Sequence, residues 1–195
     1  MQTLIEVSWR YWLGGLVGLV AVAVALRWSL RQRQTPGPAD ALAAVAAAAL
    51  NDVLVPDGMG GHIYIEHLLL TNRGIVVVDV KDFAGTVFAS DQMQEWTVIG
   101  KGRRFGFPNP QGTLLDRVAA VRQLVHGVPV EGHIVFSSDA DFSKGRPKHV
   151  LVASELEKRF KKPSSDDRER LNEAFAPHWS RIKAAAVRAD STPAA

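Results

Sequence analysis

The chain contains no cysteine, which excludes disulfides, a CxxC redox pair and any thiolate zinc site. Its six histidines, at positions 62, 67, 126, 133, 149 and 178, show neither HExxH nor HxxxH spacing, so the sequence offers no histidine metal cluster. An excess of basic charge is also missing where a nucleic-acid-binding domain would show it. The formal net charge is +3, but residues 1–35 hold Arg10, Arg27, Arg31 and Arg33 against Glu6, while the other 160 residues carry 19 basic and 19 acidic side chains. The surplus belongs to the N-terminal segment and is no argument for DNA binding.

Long apolar runs are few, and the clearest lies in that segment. Tyr11 to Leu26 is sixteen residues without a charge, bracketed by Arg10 and Arg27. This is slightly short of the roughly 20 residues that span a bilayer. Arginines snorkel, however, and Trp9, Tyr11, Trp12 and Trp28 stand where interfacial aromatics belong. A single membrane helix over residues 9–28 is expected. The arginines that follow it place the rest of the chain in the cytoplasm, making this a single-pass protein of the inner or plasma membrane. A cleaved signal peptide with "AVA" as its small-residue site is the competing reading, but Glu6 and Arg10 cancel where a basic n-region is needed.

"RQRQTPGPAD" is a linker, so the sequence divides into an anchor with a basic flank (1–35), a domain (36–153) and charged helices with a polar tail (154–195). "ADALAAVAAAALNDVLV" predicts an Ala-rich helix with Asp40 near its start. Strands follow at "HIYIEHLLL", "GIVVVDVK", "GTVFAS" and "EWTVIG", then an irregular basic and aromatic loop, "KGRRFGFPNPQG". "TLLDRVAAVRQLVHG" is an amphipathic helix, "GHIVFSSD" and "HVLVAS" are strands, and two charged helices close the chain. The order predicts an α/β domain with a central mixed sheet flanked by helices.

Three charges interrupt the apolar strands. Asp79 and Lys81, two apart, project from the same face. If the turn is a two-residue loop at Asn72-Arg73, antiparallel partners sum to 145 and Glu66 lies opposite Asp79, with Cβ atoms about 5 Å apart. Two such carboxylates repel unless one is protonated or a cation stands between them. A hard divalent ion such as Mg²⁺ resolves the conflict, and Lys81 is then placed to polarise a water or stabilise negative charge. An ion pair of Lys81 with Glu66 or Asp79 at a sheet edge would satisfy the same groups without a metal.

The stretch "YIEHLLLTNRGIVVVDVKDFAGTV", with Trp96 and "FPNP" after it, resembles the NERD (nuclease-related domain) family, which is similar to the PD-(D/E)XK nucleases of restriction-endonuclease-like fold. The matching residues are Glu66-His67, Gly74, Asp79-Val80-Lys81, Asp82-Phe83-Ala84-Gly85, Trp96 and Asn109-Pro110, within about residues 37–137. The resemblance implies that Glu66 and Asp79 ligate Mg²⁺ or Mn²⁺, that Lys81 is the catalytic lysine, and that Asp40 joins the active site from the first helix. An acid in a helix first turn also favours the dipole, which gives Asp40 a second explanation. Asp and Glu are exchanged relative to the usual order, and Thr113 stands near the place of a usual Gln. Lys101, Arg103, Arg104 and Asn109, among Phe105 and Phe107, are the expected nucleic-acid contacts, although a solvated turn with aromatic anchors would have the same composition. The expected partner is nucleic acid, DNA before RNA, and the expected activity is metal-dependent phosphodiester hydrolysis. A catalytically inactive nucleic-acid-binding or scaffold module at the membrane is the alternative.

Overall fold

A computed structural model describes residues 37–189. The charge-free run at 11–26 lies outside them, and among the described residues no helix is long and apolar enough to cross a membrane. The described part of the chain opens with α1 (Pro38–Val45), β1 (Ala48–Pro56), β2 (His62–Thr71) and β3 (Gly74–Lys81). Next come β4 (Gly85–Phe88), β5 (Glu95–Gly100), β6 (Arg103–Pro108) and α2 (Gln111–Leu124). It ends with β7 (Val130–Phe136), β8 (Ala140–Asp141), β9 (Val150–Val152), a 3-10 turn, α3 (Leu156–Arg159), α4 (Ser165–Ala185) and β10 (Val187–Arg188).

The fold is mixed α/β, but the strands form two sheets where the sequence pattern led us to expect one. The larger has the order β10-β1-β2-β3-β7-β9 and the smaller β6-β5-β4-β8. The division begins immediately after β3. Phe83 donates its backbone N–H to the Lys81 carbonyl at 2.8 Å, a three-residue turn that stops the strand and redirects the chain. Lys81 therefore ends a strand of the large sheet while Gly85 begins the small one.

β3 lies between antiparallel β2 and parallel β7. Its Ile75 and Val77 join the core shared with Leu114, Val118 and Val121 of α2 and Trp179 and Ile182 of α4. Val76 and Val78, on the other face, pack with Ala41, Leu42 and Val45 of α1 and Phe160 after α3. A strand covered on both sides must be apolar throughout, which accounts for the run "GIVVV". Gly74 allows this strand to start: its φ is +107°, and a Cβ there would stand 2.5 Å from the Pro129 carbonyl oxygen.

Two expected elements differ. The Ala-rich helix ends at Val45, and Ala48–Pro56 is a strand paired with β2 at every position but Asp52. Tertiary pairing on both edges, with β10 on the other side, overrides the helix propensity of alanine. The basic and aromatic "loop" is strand β6, entered through Lys101 and Gly102 at φ +49° and +73°. Two successive positive-φ residues make a two-residue hairpin turn of the type that matches strand twist.

Residues 154–189 pack onto the same core, since Trp179 and Ile182 belong to it and β10 extends the sheet. Trp96, Phe107 and Phe136 join the small sheet to the end of β7, with ring centroids 6.1–6.5 Å apart.

Candidate active site

The β2–β3 hairpin has the two-residue loop: Thr71 pairs with Gly74 and His67 with Val78. The ladder stops at His67–Val78, just before Glu66 would face Asp79. Past that point the strands are filled in by side chains. Glu66 Oε2 accepts the Val80 backbone N–H at 2.9 Å. On the other strand, the Tyr64 carbonyl accepts from Arg117 Nε at 2.6 Å. Meanwhile β3 stays paired with β7 through Lys81–Phe136, so the carboxyl end of the strand is supported on one side and open on the other.

Asp79 is 2% exposed. Arg117 Nη1 donates to its Oδ2, while its Oδ1 is buried with no hydrogen-bond partner. Burial pushes the Asp79 carboxyl above its ordinary value, and Glu66 adds to that, against the pull of Arg117 and Lys81. An isolated buried carboxylate is costly, and the ion pair with Arg117 offsets only part of that cost. His67 holds Asn51 Oδ1 at 2.9 Å through Nδ1 and approaches Glu66 at 3.8 Å through Nε2. The Lys81 carbonyl accepts the N–H groups of Phe83 and Ser137, whereas its ammonium makes no hydrogen bond or ion pair among the described residues.

Asp79, Lys81 and Arg117 line an open cleft of about 360 Å³ together with Phe83, Phe107, Pro108, Asn109, Pro110 and Thr113. A second cleft of about 400 Å³ adjoins it through Phe83 and is lined by Asp82, Val98, Lys101, Arg103 and Phe105. Phe83 stands 5.3 Å from both Phe105 and Phe107, and Phe105 is 51% exposed. A basic and aromatic surface thus runs from the β5–β6 turn to the acidic end of β3.

The expected site residues divide accordingly. Asp79 and Lys81 share the first cleft, and Glu66 reaches the peptide between them. Asp40 is not brought to this group: α1 covers the opposite face of β3, and Asp40 is exposed there beside Gly37. Lys101 and Arg103 line the second cleft, whereas Arg104 lies on the opposite face of β6, across from Ile99. Asn109 lines the first cleft, but its amide braces the fold. Its Nδ2 donates to the Met93 carbonyl at 2.9 Å and its Oδ1 accepts from the Gln111 N–H at 3.0 Å.

Arg117 is the residue that the sequence reading missed. A signal existed: it sits among Leu114, Val118 and Val121, the buried stripe of α2, and a charge beside such a stripe needs a partner. Phe83, which joins the two clefts, was named only within the family motif and not as a site residue.

Of the two carboxylates that the resemblance implies as ligands, Asp79 keeps a buried oxygen without a partner and Glu66 already accepts the Val80 N–H; carboxylate oxygens are the donors that Mg²⁺ or Mn²⁺ takes. Among the described residues no group of three or more His, Cys, Asp or Glu side chains is placed to hold a metal. Such an ion would therefore depend on water and substrate for its remaining ligands.

Comparison with known proteins gives one family match: the nuclease-related domain (NERD), over residues 39–137. A curated relative, an uncharacterized protein of Bacillus anthracis, is 24% identical over 114 residues, which cover 56% of this chain and 54% of the relative. The chain thus spans about half the length of the curated relative it matches. No solved structure gives a significant match.

Proposed function

This chain belongs to the nuclease-related domain family, and on that premise we propose that it is a divalent-metal-dependent phosphodiesterase acting on nucleic acid, DNA before RNA. The observation that carries the reading is the pairing of Asp79 and Lys81 at one cleft, with the buried Asp79 Oδ1 left without a partner. A structural carboxylate is normally satisfied, so an orphaned buried oxygen beside a free lysine argues for a ligand.

Glu66 and Asp79 would hold Mg²⁺ or Mn²⁺, which supplies charge neutralisation at the phosphate and a more acidic water. Lys81 offers its ammonium to negative charge developing on the phosphate, in a site partly shielded from solvent, where that charge counts for more than in water. Glu66 has a second task, holding the end of β3 in place through Val80. Lys101 and Arg103 attract the phosphate backbone, and exposed Phe105 offers a ring to a base.

Membrane anchoring through residues 9–28, with the domain in the cytoplasm, belongs to the same proposal. The charge-free run and the arginines after it support it.

One observation favours a second reading, a nucleic-acid-binding or scaffold module without catalysis: Arg117 already neutralises Asp79. A single assay separates the two. The full chain is incubated with DNA and with RNA in Mg²⁺ or Mn²⁺, beside Asp79→Ala and Lys81→Ala. Cleavage lost in both variants supports the enzyme, and cleavage unchanged by both sinks it. Binding without cleavage supports the module.

A further inference from the structure

The Arg117 guanidinium occupies the one carboxylate that the proposed site cannot do without. Its Nη1 is on Asp79 Oδ2 and its Nε is on the Tyr64 carbonyl at 2.6 Å. The side chain lines the cleft beside Lys81 and is 17% exposed. Its Cα is held by the neighbours Leu114 and Val118, which are buried against the sheet, so only the side chain is free to move. A guanidinium and a divalent cation on the same carboxylate oppose each other by charge. A guanidinium is also a good ligand for phosphate, which its planar fork can meet with two hydrogen bonds.

We infer that Arg117 is a substrate-operated latch on the acidic site. Without nucleic acid it rests on Asp79 and keeps divalent cation affinity low. A phosphate entering the cleft draws the guanidinium from Asp79, and the freed carboxylate takes the cation. Metal loading is then coupled to substrate, and by linkage the metal strengthens substrate binding by the same factor. The inference rests on the metal-dependent reading above. It adds a residue that acts through Asp79, a positioning residue with its own signature.

The test is Mn²⁺ binding to the full chain in a mild non-ionic detergent, read by electron paramagnetic resonance of the free ion. Titrations are run alone, with a short phosphorothioate oligothymidylate, and with its uncharged methylphosphonate counterpart. The wild type is expected to gain about tenfold in Mn²⁺ affinity with the charged oligonucleotide and nothing with the uncharged one, a coupling of ordinary size. Arg117→Gln, which keeps a donor for Asp79 but no charge, is expected to bind Mn²⁺ about tenfold tighter than wild type without oligonucleotide and to gain little more from it. Equal or weaker Mn²⁺ affinity in Arg117→Gln, or the same oligonucleotide gain in both proteins, overturns the latch alone. Should Arg117→Gln fail to fold, Arg117→Lys decides: a gain smaller than wild type supports the latch and an unchanged gain overturns it. Absence of Mn²⁺ binding in every protein overturns the latch and the metal-dependent reading together.

Discussion

The Glu66 carboxylate accepts the backbone N–H of Val80 at 2.9 Å, on the peptide that separates Asp79 from Lys81. An acid expected as a metal ligand or as an ion-pair partner of Lys81 therefore replaces a rung of the β2–β3 ladder. Its two roles can be separated by choice of substitution. Glu66→Gln retains an acceptor for Val80 and should melt within a degree or two of wild type. Glu66→Ala leaves that N–H unpaired and should cost about 1–3 kcal/mol. Both should lose Mg²⁺-dependent cleavage. Equal melting of the two variants in calorimetry would show that the Val80 bond contributes nothing.

Asp79 predicts a pH dependence of unusual sign. Its pKa is raised by burial, so the folded protein holds the proton more tightly than the unfolded chain. Stability from this group is present at low pH and declines as pH rises through the raised pKa. Asp79→Asn, which keeps an acceptor for Arg117, removes the ionisation. Its melting temperature should exceed that of wild type at pH 8 by about 2–4 °C, the shift of ~1 kcal/mol in a domain of this size. The gap should close toward pH 4. A gap that stays constant across that range would refute the assignment.

The aromatic surface separates binding from folding. Phe105 is half exposed, whereas Trp96 is wholly buried. Phe105→Ala should weaken single-stranded oligonucleotide binding by about 1–3 kcal/mol, the value of one stacked base, with little change in melting. Trp96→Ala should cost about 3–5 kcal/mol of stability. Fluorescence anisotropy with thermal melts distinguishes them, and unchanged oligonucleotide affinity in Phe105→Ala would remove it from the interface.

Salt dependence distinguishes the three basic residues of the β5–β6 hairpin. Lys101→Ala and Arg103→Ala should each weaken binding across all sequences and lower the slope of log K against log salt by about 1. Arg104→Ala, on the opposite face of β6, should leave the slope nearly unchanged. A slope change for Arg104 as large as that for Arg103 would move the interface to the outer face of the small sheet.

Much of the candidate site was legible because it depends on local rules. Strand alternation puts Asp79 and Lys81 on one face whatever packs above them, and the register follows once the loop between Thr71 and Gly74 has two residues. The apolar run before Asp79 marked a strand, and the structure covers it on both sides. The Ala-rich stretch misled for the converse reason: alanine favours helix weakly, and two neighbouring strands claimed residues 48–56 instead. β6 was hidden because it lies at the sheet edge and buries almost nothing, with Phe107 alone partly covered, so its run of Arg103, Phe105 and Phe107 shows no apolar alternation and resembled a loop.

The sequence by itself determined the hairpin strands and the shared face of Asp79 and Lys81, since these follow from neighbours a few residues apart, while the register depended on a loop length that the structure supplied. Only the tertiary structure decided that Arg117, 38 residues from Asp79, rests on that carboxylate, and that α1 takes Asp40 to the other side of the sheet. It also decided that a turn at Lys81–Phe83 sends the next strands into a second sheet, bringing Phe105 toward Phe83. Those relationships arise from which faces of distant elements are buried against one another, and no local periodicity encodes them.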